Sequence, residues 1–168
     1  MIDAVALRVI NAVRAVRDQY YKLVLVVGPA RTGKTASLAA VANQCGWRRL
    51  NVNLRVSEQL LEFTQKQRKV RVAAILDELV RAENSSVVML DNIELLFASE
   101  LELDPLRLLQ GLSRNLTIVA AWPGTVDVDC LTYAEPGHPE ACRYSSPQAC
   151  IVSVDTAAAF DVVPTGAN

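Results

Sequence analysis

The stretch Gly28-Pro29-Ala30-Arg31-Thr32-Gly33-Lys34-Thr35 fills every fixed position of the pattern G-x-x-x-x-G-K-[ST]. The apolar run Leu23-Val24-Leu25-Val26-Val27 leads into it, and Ala36-Ser37-Leu38-Ala39-Ala40-Val41-Ala42 leads out. A short unbroken apolar run ending on glycine predicts a buried strand, and the alanine-rich run beyond predicts a helix. Strand, glycine loop and helix in that order make a phosphate cradle. The two glycines let the backbone turn its N–H groups toward phosphate oxygens, and the helix N-terminus adds partial positive charge. The predicted phosphate-binding set is Gly28, Pro29, Ala30, Arg31, Thr32, Gly33, Lys34, Thr35 and Ala36. Within it Lys34 reaches the β- and γ-phosphates and the Thr35 hydroxyl serves Mg²⁺. The competing reading, a glycine-rich turn with no ligand, does not explain why lysine and threonine stand where a triphosphate needs them.

A second motif completes the site. Val87-Val88-Met89-Leu90 is a fully apolar strand candidate that ends on Asp91 and Asn92. A carboxylate at the end of a neighbouring strand holds the same Mg²⁺ that Thr35 contacts. The plainer role for Asp91 is to cap the next helix. Many nucleotide hydrolases place glutamate directly after this aspartate to polarise the attacking water. Asn92 can hold a water but cannot accept its proton, and Glu94 lies two residues further on. ATP and Mg²⁺ are the expected ligands, with hydrolysis slow or completed by groups from another subunit.

The rest of the chain sets these motifs in an alternating order. Residues 2–18 carry apolar positions at a helical period, with Arg8, Arg14 and Arg17 between them. Strands are predicted at 22–27, 48–53, 87–91, 117–121 and 149–154. Helices are predicted at 34–44, from Ser57 to about 81 with a break near 66–70, at 94–99 and at 105–113. Residues 125–149, with Pro136, Gly137, Pro139 and Pro147, read as loop with one helical turn. This order predicts a three-layer α/β/α sandwich around a mostly parallel five-stranded sheet, with ligands beyond the carboxyl ends of the strands. Residues 1–155 read as a single domain and 156–168 as a flexible tail.

Composition narrows the function classes. With 168 residues, 51% of them hydrophobic, the chain is long enough for one well-filled core. A net charge of −1 gives no bulk electrostatic argument for nucleic acid or anionic lipid. Arginines interrupt the N-terminal apolar pattern, so no signal-peptide core is formed. No apolar run reaches the length of a membrane span, and the expected compartment is the cytoplasm. Cys45, Cys130, Cys142 and Cys150 are too widely spaced for a CxxC pair, so they are expected as reduced thiols. His138, between two of them, does not create a recognisable zinc spacing.

With both motifs placed, the chain resembles the core of AAA+ ATPases, and more specifically the BrxF family of small P-loop proteins from BREX phage-defence systems. The likeness is carried by GPARTGKT (28–35), VVMLDNIELLF (87–97), LTIVAAWPG (116–124) and AEPGHPEACRYS (134–145). It implies an ATP-binding, slowly hydrolysing subunit that acts as a nucleotide-dependent assembly or switch component. The implied partners are other BREX proteins and further copies of the chain. It also implies that an arginine shortly before the fifth strand reaches a neighbour's γ-phosphate. Arg143 holds that place, against the alternative of a solvated loop arginine. Arg114 is the runner-up, with a ready role as a helix C-terminal cation. The catalytic set under this reading is Lys34, Asp91, Asn92 and Arg143.

Three departures separate the chain from an ordinary AAA+ module. Asn92 replaces glutamate, Trp122-Pro123 replaces the polar sensor after the fourth strand, and no room is expected after Val154 for a helical lid. Lys66, Arg68, Lys69 and Arg71 fall where ring-forming relatives face a central channel, so contact with DNA competes with a plain solvated helix face. His138 and Glu140 could line the site or stabilise their own proline-rich turn. The function class opposed to all of this is a small stand-alone nucleotide or metabolite kinase, which needs an arginine-rich lid; segment 125–149 offers only Arg143.

Overall fold

The computed structural model describes residues 3–29, 32–128, 130–133 and 141–154. The chain opens with α1 (Ala4–Ala15), whose first turn is capped by the Asp3 carboxylate accepting the Ala6 N–H at 2.7 Å. Then follow β1 (Leu23–Gly28), α2 (Lys34–Cys45), β2 (Arg48–Asn51), α3 (Val52–Leu60), α4 (Gln65–Ala82) and β3 (Val87–Asp91). Short 3-10 helices at Glu94–Phe97 and Ser99–Leu101 lead to α5 (Pro105–Leu112). The remainder is β4 (Thr117–Pro123), β5 (Thr125–Asp127), β6 (Cys130–Tyr133), β7 (Cys142–Ser145) and β8 (Cys150–Ser153).

Five strands form one sheet in the order β2-β3-β4-β1-β8, and every neighbouring pair is parallel. All six residues of β1 are buried, which a strand covered on both faces requires. Its alternation still shows in the packing. Leu23, Leu25 and Val27 join the cluster with Val56, Leu76 and Leu109 from α3, α4 and α5. Val24 and Val26 join the opposite cluster with Val9, Val13, Leu38 and Val41 from α1 and α2. The result is the three-layer sandwich the alternating pattern predicts.

Two boundaries differ from the sequence reading. The first helix after β2 begins at Val52 and not at Ser57, because the Asn51 side chain accepts the Leu54 N–H and caps it. The break expected near 66–70 falls between Leu60 and Gln65, where Thr64 and Gln67 form a reciprocal capping box that starts α4.

The larger correction concerns 125–149. Instead of loop with a helical turn, its described residues form a three-stranded antiparallel sheet in the order β5-β6-β7. The apolar positions Leu131, Tyr133, Cys142 and Tyr144 pack on the α3–α5 side of the core. Tyr133 stacks on Phe97 with centroids 3.9 Å apart, and Trp122 meets Phe97 and Tyr144 edge-on. Aromatic side chains rather than strand length hold this sheet in place. The Pro-Gly-His-Pro-Glu segment (136–140) and the tail expected at 156–168 lie outside the described residues.

Candidate functional site

β1 ends on Gly28, and a side chain there would strike Val154 and come within 2.7 Å of the Thr32 hydroxyl. Only glycine lets β1, the loop and the residue after β8 pass so closely. Gly33 caps α2 at φ 86°, a left-handed conformation that glycine adopts without strain. These two glycines turn the chain from strand to helix and leave Lys34 and Thr35 in the first turn of α2. Ala36 follows on the exposed side of that turn, and Ala30 and Arg31 lie outside the described residues.

Lys34 is 9% exposed, and its Nζ donates to the carbonyls of Gly28 and Pro29, both at 2.6 Å. Burial pushes its pKa down, while the carboxylates of Glu94 and then Asp91 pull it back up. The ammonium therefore sits inside the loop with two acidic groups close by.

Asp91 closes β3 beside this loop and is 5% exposed. Thr35 Oγ1 donates to Asp91 Oδ1 at 3.2 Å, and the Asn92 N–H donates to the same oxygen at 2.9 Å. A buried carboxylate facing a hydroxyl is a hard oxygen donor set of the kind Mg²⁺ takes. Thr35 and Asp91, predicted as the metal pair, are thus brought together from opposite ends of the motif spacing. Asp91 is not spent on capping a helix through a side-chain bond, since the 3-10 helix beyond it has none.

Asn92 takes a left-handed turn at φ 52°, which sends its backbone away from the strand direction. Its carbonyl accepts the Asn53 N–H at 2.9 Å. The Asn53 side chain then holds the turn at both ends. Its Nδ2 donates to Glu94 Oε2 at 3.1 Å and its Oδ1 accepts the Leu95 N–H at 2.8 Å. Glu94, which the sequence left undecided, has its carboxylate held by Asn53, and its charge raises the Lys34 pKa. Asn53 is the residue that sequence reasoning missed. Its signal is topological: parallel pairing sets Asn51 opposite Asp91, so whatever follows β2 meets whatever follows β3.

The other predicted residues are placed as follows. Trp122, which replaces the polar sensor residue, is fully buried and donates from Nε1 to the Thr132 carbonyl at 3.1 Å. It joins the two sheets instead of facing phosphate. Arg143 is exposed on β7, where its Nε donates to Cys130 Sγ at 2.9 Å, so it stands on a strand and not in a loop. Arg114 precedes β4, at the end of the sheet away from Lys34, with its guanidinium 5.0 Å from the Tyr20 ring centre. Of the α4 cations, Arg68 donates to the Leu60 and Phe63 carbonyls, Arg71 lies over Phe63, and Lys69 pairs with Glu102 at 3.4 Å. Those three are engaged in tying α3, α4 and the Ser99–Leu101 turn together; Lys66 is exposed on the same helix. Among the described residues no group of three His, Cys, Asp or Glu side chains could hold a metal ion, and His138 and Glu140 lie outside them. No helix among the described residues is long and apolar enough to cross a membrane.

A glycine-turned loop feeding α2, with its threonine bonded to a buried aspartate on a parallel strand one position removed across the sheet, defines a P-loop nucleoside triphosphatase core. Residues 24–118, more than half of the chain, match the family model for the ATPase family associated with various cellular activities, AAA. The chain belongs to that family, and it is a nucleotide-binding, ATPase-like module. Members of the family generally use ATP and Mg²⁺ and often oligomerise. No curated protein matches the chain.

Proposed function

We propose that this protein binds ATP–Mg²⁺ and hydrolyses it slowly, as a nucleotide-dependent assembly or switch subunit of a BREX phage-defence system. The observation that carries the nucleotide reading is the 3.2 Å hydrogen bond from Thr35 to Asp91, which joins the two motifs into one oxygen site for the metal. Lys34 supplies the cation for the β- and γ-phosphates once it exchanges loop carbonyls for phosphate oxygens. Thr35 and Asp91 would hold Mg²⁺, which would supply neutralisation of the phosphate charge.

Glu94 is the carboxylate this reading assigns to water activation, in place of Asn92. Its exposure and its bond to Asn53 leave it poorly enclosed in one chain, which fits slow turnover in the isolated protein. The resemblance to BrxF supports the defence assignment and a cytoplasmic setting, with other BREX proteins and further copies of this chain as partners. Arg143, exposed on β7, is the residue offered to a neighbouring copy's nucleotide. DNA contact through Lys66, Arg68, Lys69 and Arg71 is not part of this reading, since three of the four serve the chain itself.

The test is equilibrium binding of a fluorescent ATP analogue with and without Mg²⁺. Lys34→Ala is expected to weaken affinity about tenfold or more, and Asp91→Asn to abolish the gain from Mg²⁺. Unchanged affinity in Lys34→Ala refutes the nucleotide site. Transfer of phosphate to a small acceptor instead of water replaces the ATPase with the kinase alternative.

A further inference from the structure

The end of the sheet opposite the phosphate-binding loop carries a second concave site. A cleft of about 410 Å³ opens among the residues that precede β1, β2, β3 and β4 and the C-terminal part of α1. That volume suits a small organic ligand. Its cations are Arg14, Arg17 and Lys22, and its aromatic wall is Trp47; Ile10 and Val13 from α1 add apolar surface. Among the described residues no carboxylate lines it.

The charges come from separate places. Arg14 and Arg17 leave the end of α1, where backbone carbonyls favour one cation. Lys22 arrives from the residue before β1 and donates to the Arg114 carbonyl at 3.3 Å. Among the described residues no carboxylate forms an ion pair with any of the three. A helix end accounts for one cation; it does not account for three in one cleft of a chain whose net charge is −1. An anion entering the cleft would meet the potential of all three.

Trp47 points to what that anion carries. The chain's other tryptophan, Trp122, is fully buried in the core, whereas Trp47 is half-buried on the cleft wall. An indole beside cations is the pairing that takes a flat base and its phosphate together. Asn115, Ser86 and Thr117 at the same site add polar groups suited to base or ribose edges. We propose that this cleft binds a phosphorylated nucleoside, either free or as one unit of a single strand. It is a site separate from the phosphate-binding loop, at the other pole of the sheet.

The test uses the full chain carrying Lys34→Ala, so that the phosphate-binding loop does not compete for nucleotide. AMP and a short fluorescein-labelled oligothymidylate are titrated in turn, followed by tryptophan quenching, which reports on accessible Trp47, and by anisotropy. At least one probe is expected to bind, with an affinity that falls as salt rises. Adding Arg14→Glu and Arg17→Glu, both exposed positions, is expected to weaken that binding about tenfold or more, with the protein still unfolding in one cooperative transition and losing only the small stability of a helix-end cation. Comparable binding of AMP assigns the cleft to free nucleotides, and binding of the oligonucleotide alone assigns it to a strand. If neither probe binds, or the charge reversal leaves binding unchanged, the proposal is overturned. ATP affinity of the Arg14→Glu/Arg17→Glu protein with Lys34 intact is expected to match the parent, which separates this site from the nucleotide site proposed above.

Discussion

The Asn53 carboxamide and the Glu94 carboxylate are joined at 3.1 Å, although they lie on different elements 41 residues apart. The pairing follows from sheet order: β2 and β3 are parallel neighbours, so the residues that leave their carboxyl ends share one corner of the molecule. It gives a sequence lacking glutamate after Asp91 a further carboxylate whose charge reaches Lys34 and raises its pKa.

The first prediction follows directly. Glu94→Gln keeps an acceptor for Asn53 but removes the base, so ATP binding is expected to persist while hydrolysis falls about a hundredfold or more. Asn53→Ala is expected to alter turnover more than binding, because it frees Glu94 and the Leu95 N–H together. Steady-state phosphate release and equilibrium nucleotide binding, measured on the same samples, check both. Loss of binding in Glu94→Gln, or hydrolysis at the parent rate, contradicts the assignment.

Asn92 gives a second prediction. At φ 52° it occupies the left-handed region that asparagine tolerates better than other side chains. Asn92→Glu places the customary glutamate in sequence but strains the backbone, at a cost of about 1 kcal/mol. The variant is expected to lose about that much stability in urea titration without any gain in turnover. A rise in hydrolysis instead returns the catalytic role to position 92. Asn92→Gly, which removes the strain, is expected to be about as stable as the parent.

How much of this could be read from the chain depends on distance along it. Four strands of the main sheet, β1, β3, β4 and β8, are legible because each is an apolar run buried on both faces, whereas β2 buries only Leu50 and is legible from its alternation alone. The meeting of Thr35, in the first turn of α2, with Asp91, at the end of β3, is legible because the two motifs both fall at the carboxyl end of the sheet. Asn53 is not, since its role exists only once β2 lies beside β3. β5, β6 and β7 are three or four residues long and half polar, so neither periodicity nor composition marks them. Their stability comes from Phe97, Trp122, Tyr133 and Tyr144 meeting from separate parts of the chain. The cleft at the opposite pole is hidden in sequence for the same reason.

Tyr144 yields a prediction with pH. Its hydroxyl donates to Asp104 Oδ1 at 2.8 Å, and burial first, then that bond, pushes its pKa well above the usual tyrosine value of 10.0. A group raised in the folded state binds its proton more tightly there than in the unfolded chain. Its stabilisation is complete below pH 10 and declines as the pH climbs above the unfolded value toward the raised one. Tyr144→Phe is therefore expected to be less stable than the parent at neutral pH, with the gap closing above pH 10. Denaturant midpoints at pH 7 and pH 10.5 check the sign, and a gap that widens with pH contradicts it.

Arg143 carries the last prediction. On β7 it is exposed, and the bond it makes is to the Cys130 sulfur, a weak acceptor. Little of the fold depends on it, so Arg143→Ala is expected to change stability by no more than about 0.5 kcal/mol. Its worth lies in being free to leave that sulfur for a stronger anion. A site whose proposed base is exposed and whose fourth strand carries a buried tryptophan next to its last residue would leave a triphosphate open on one side. Under the function proposed above, an arginine from a second copy would close it with charge-assisted hydrogen bonds formed only when nucleotide is bound. A head-to-tail contact of that kind repeats around a ring. ATP–Mg²⁺ is thus expected to shift the protein from monomer to larger species in light scattering, and Arg143→Ala to blunt the shift more than it weakens ATP binding. Arg114→Ala is expected to assemble like the parent, because that guanidinium lies on Tyr20 at the other end of the sheet. A protein that stays monomeric with saturating ATP, or an Arg143→Ala variant that assembles normally, removes Arg143 from the site.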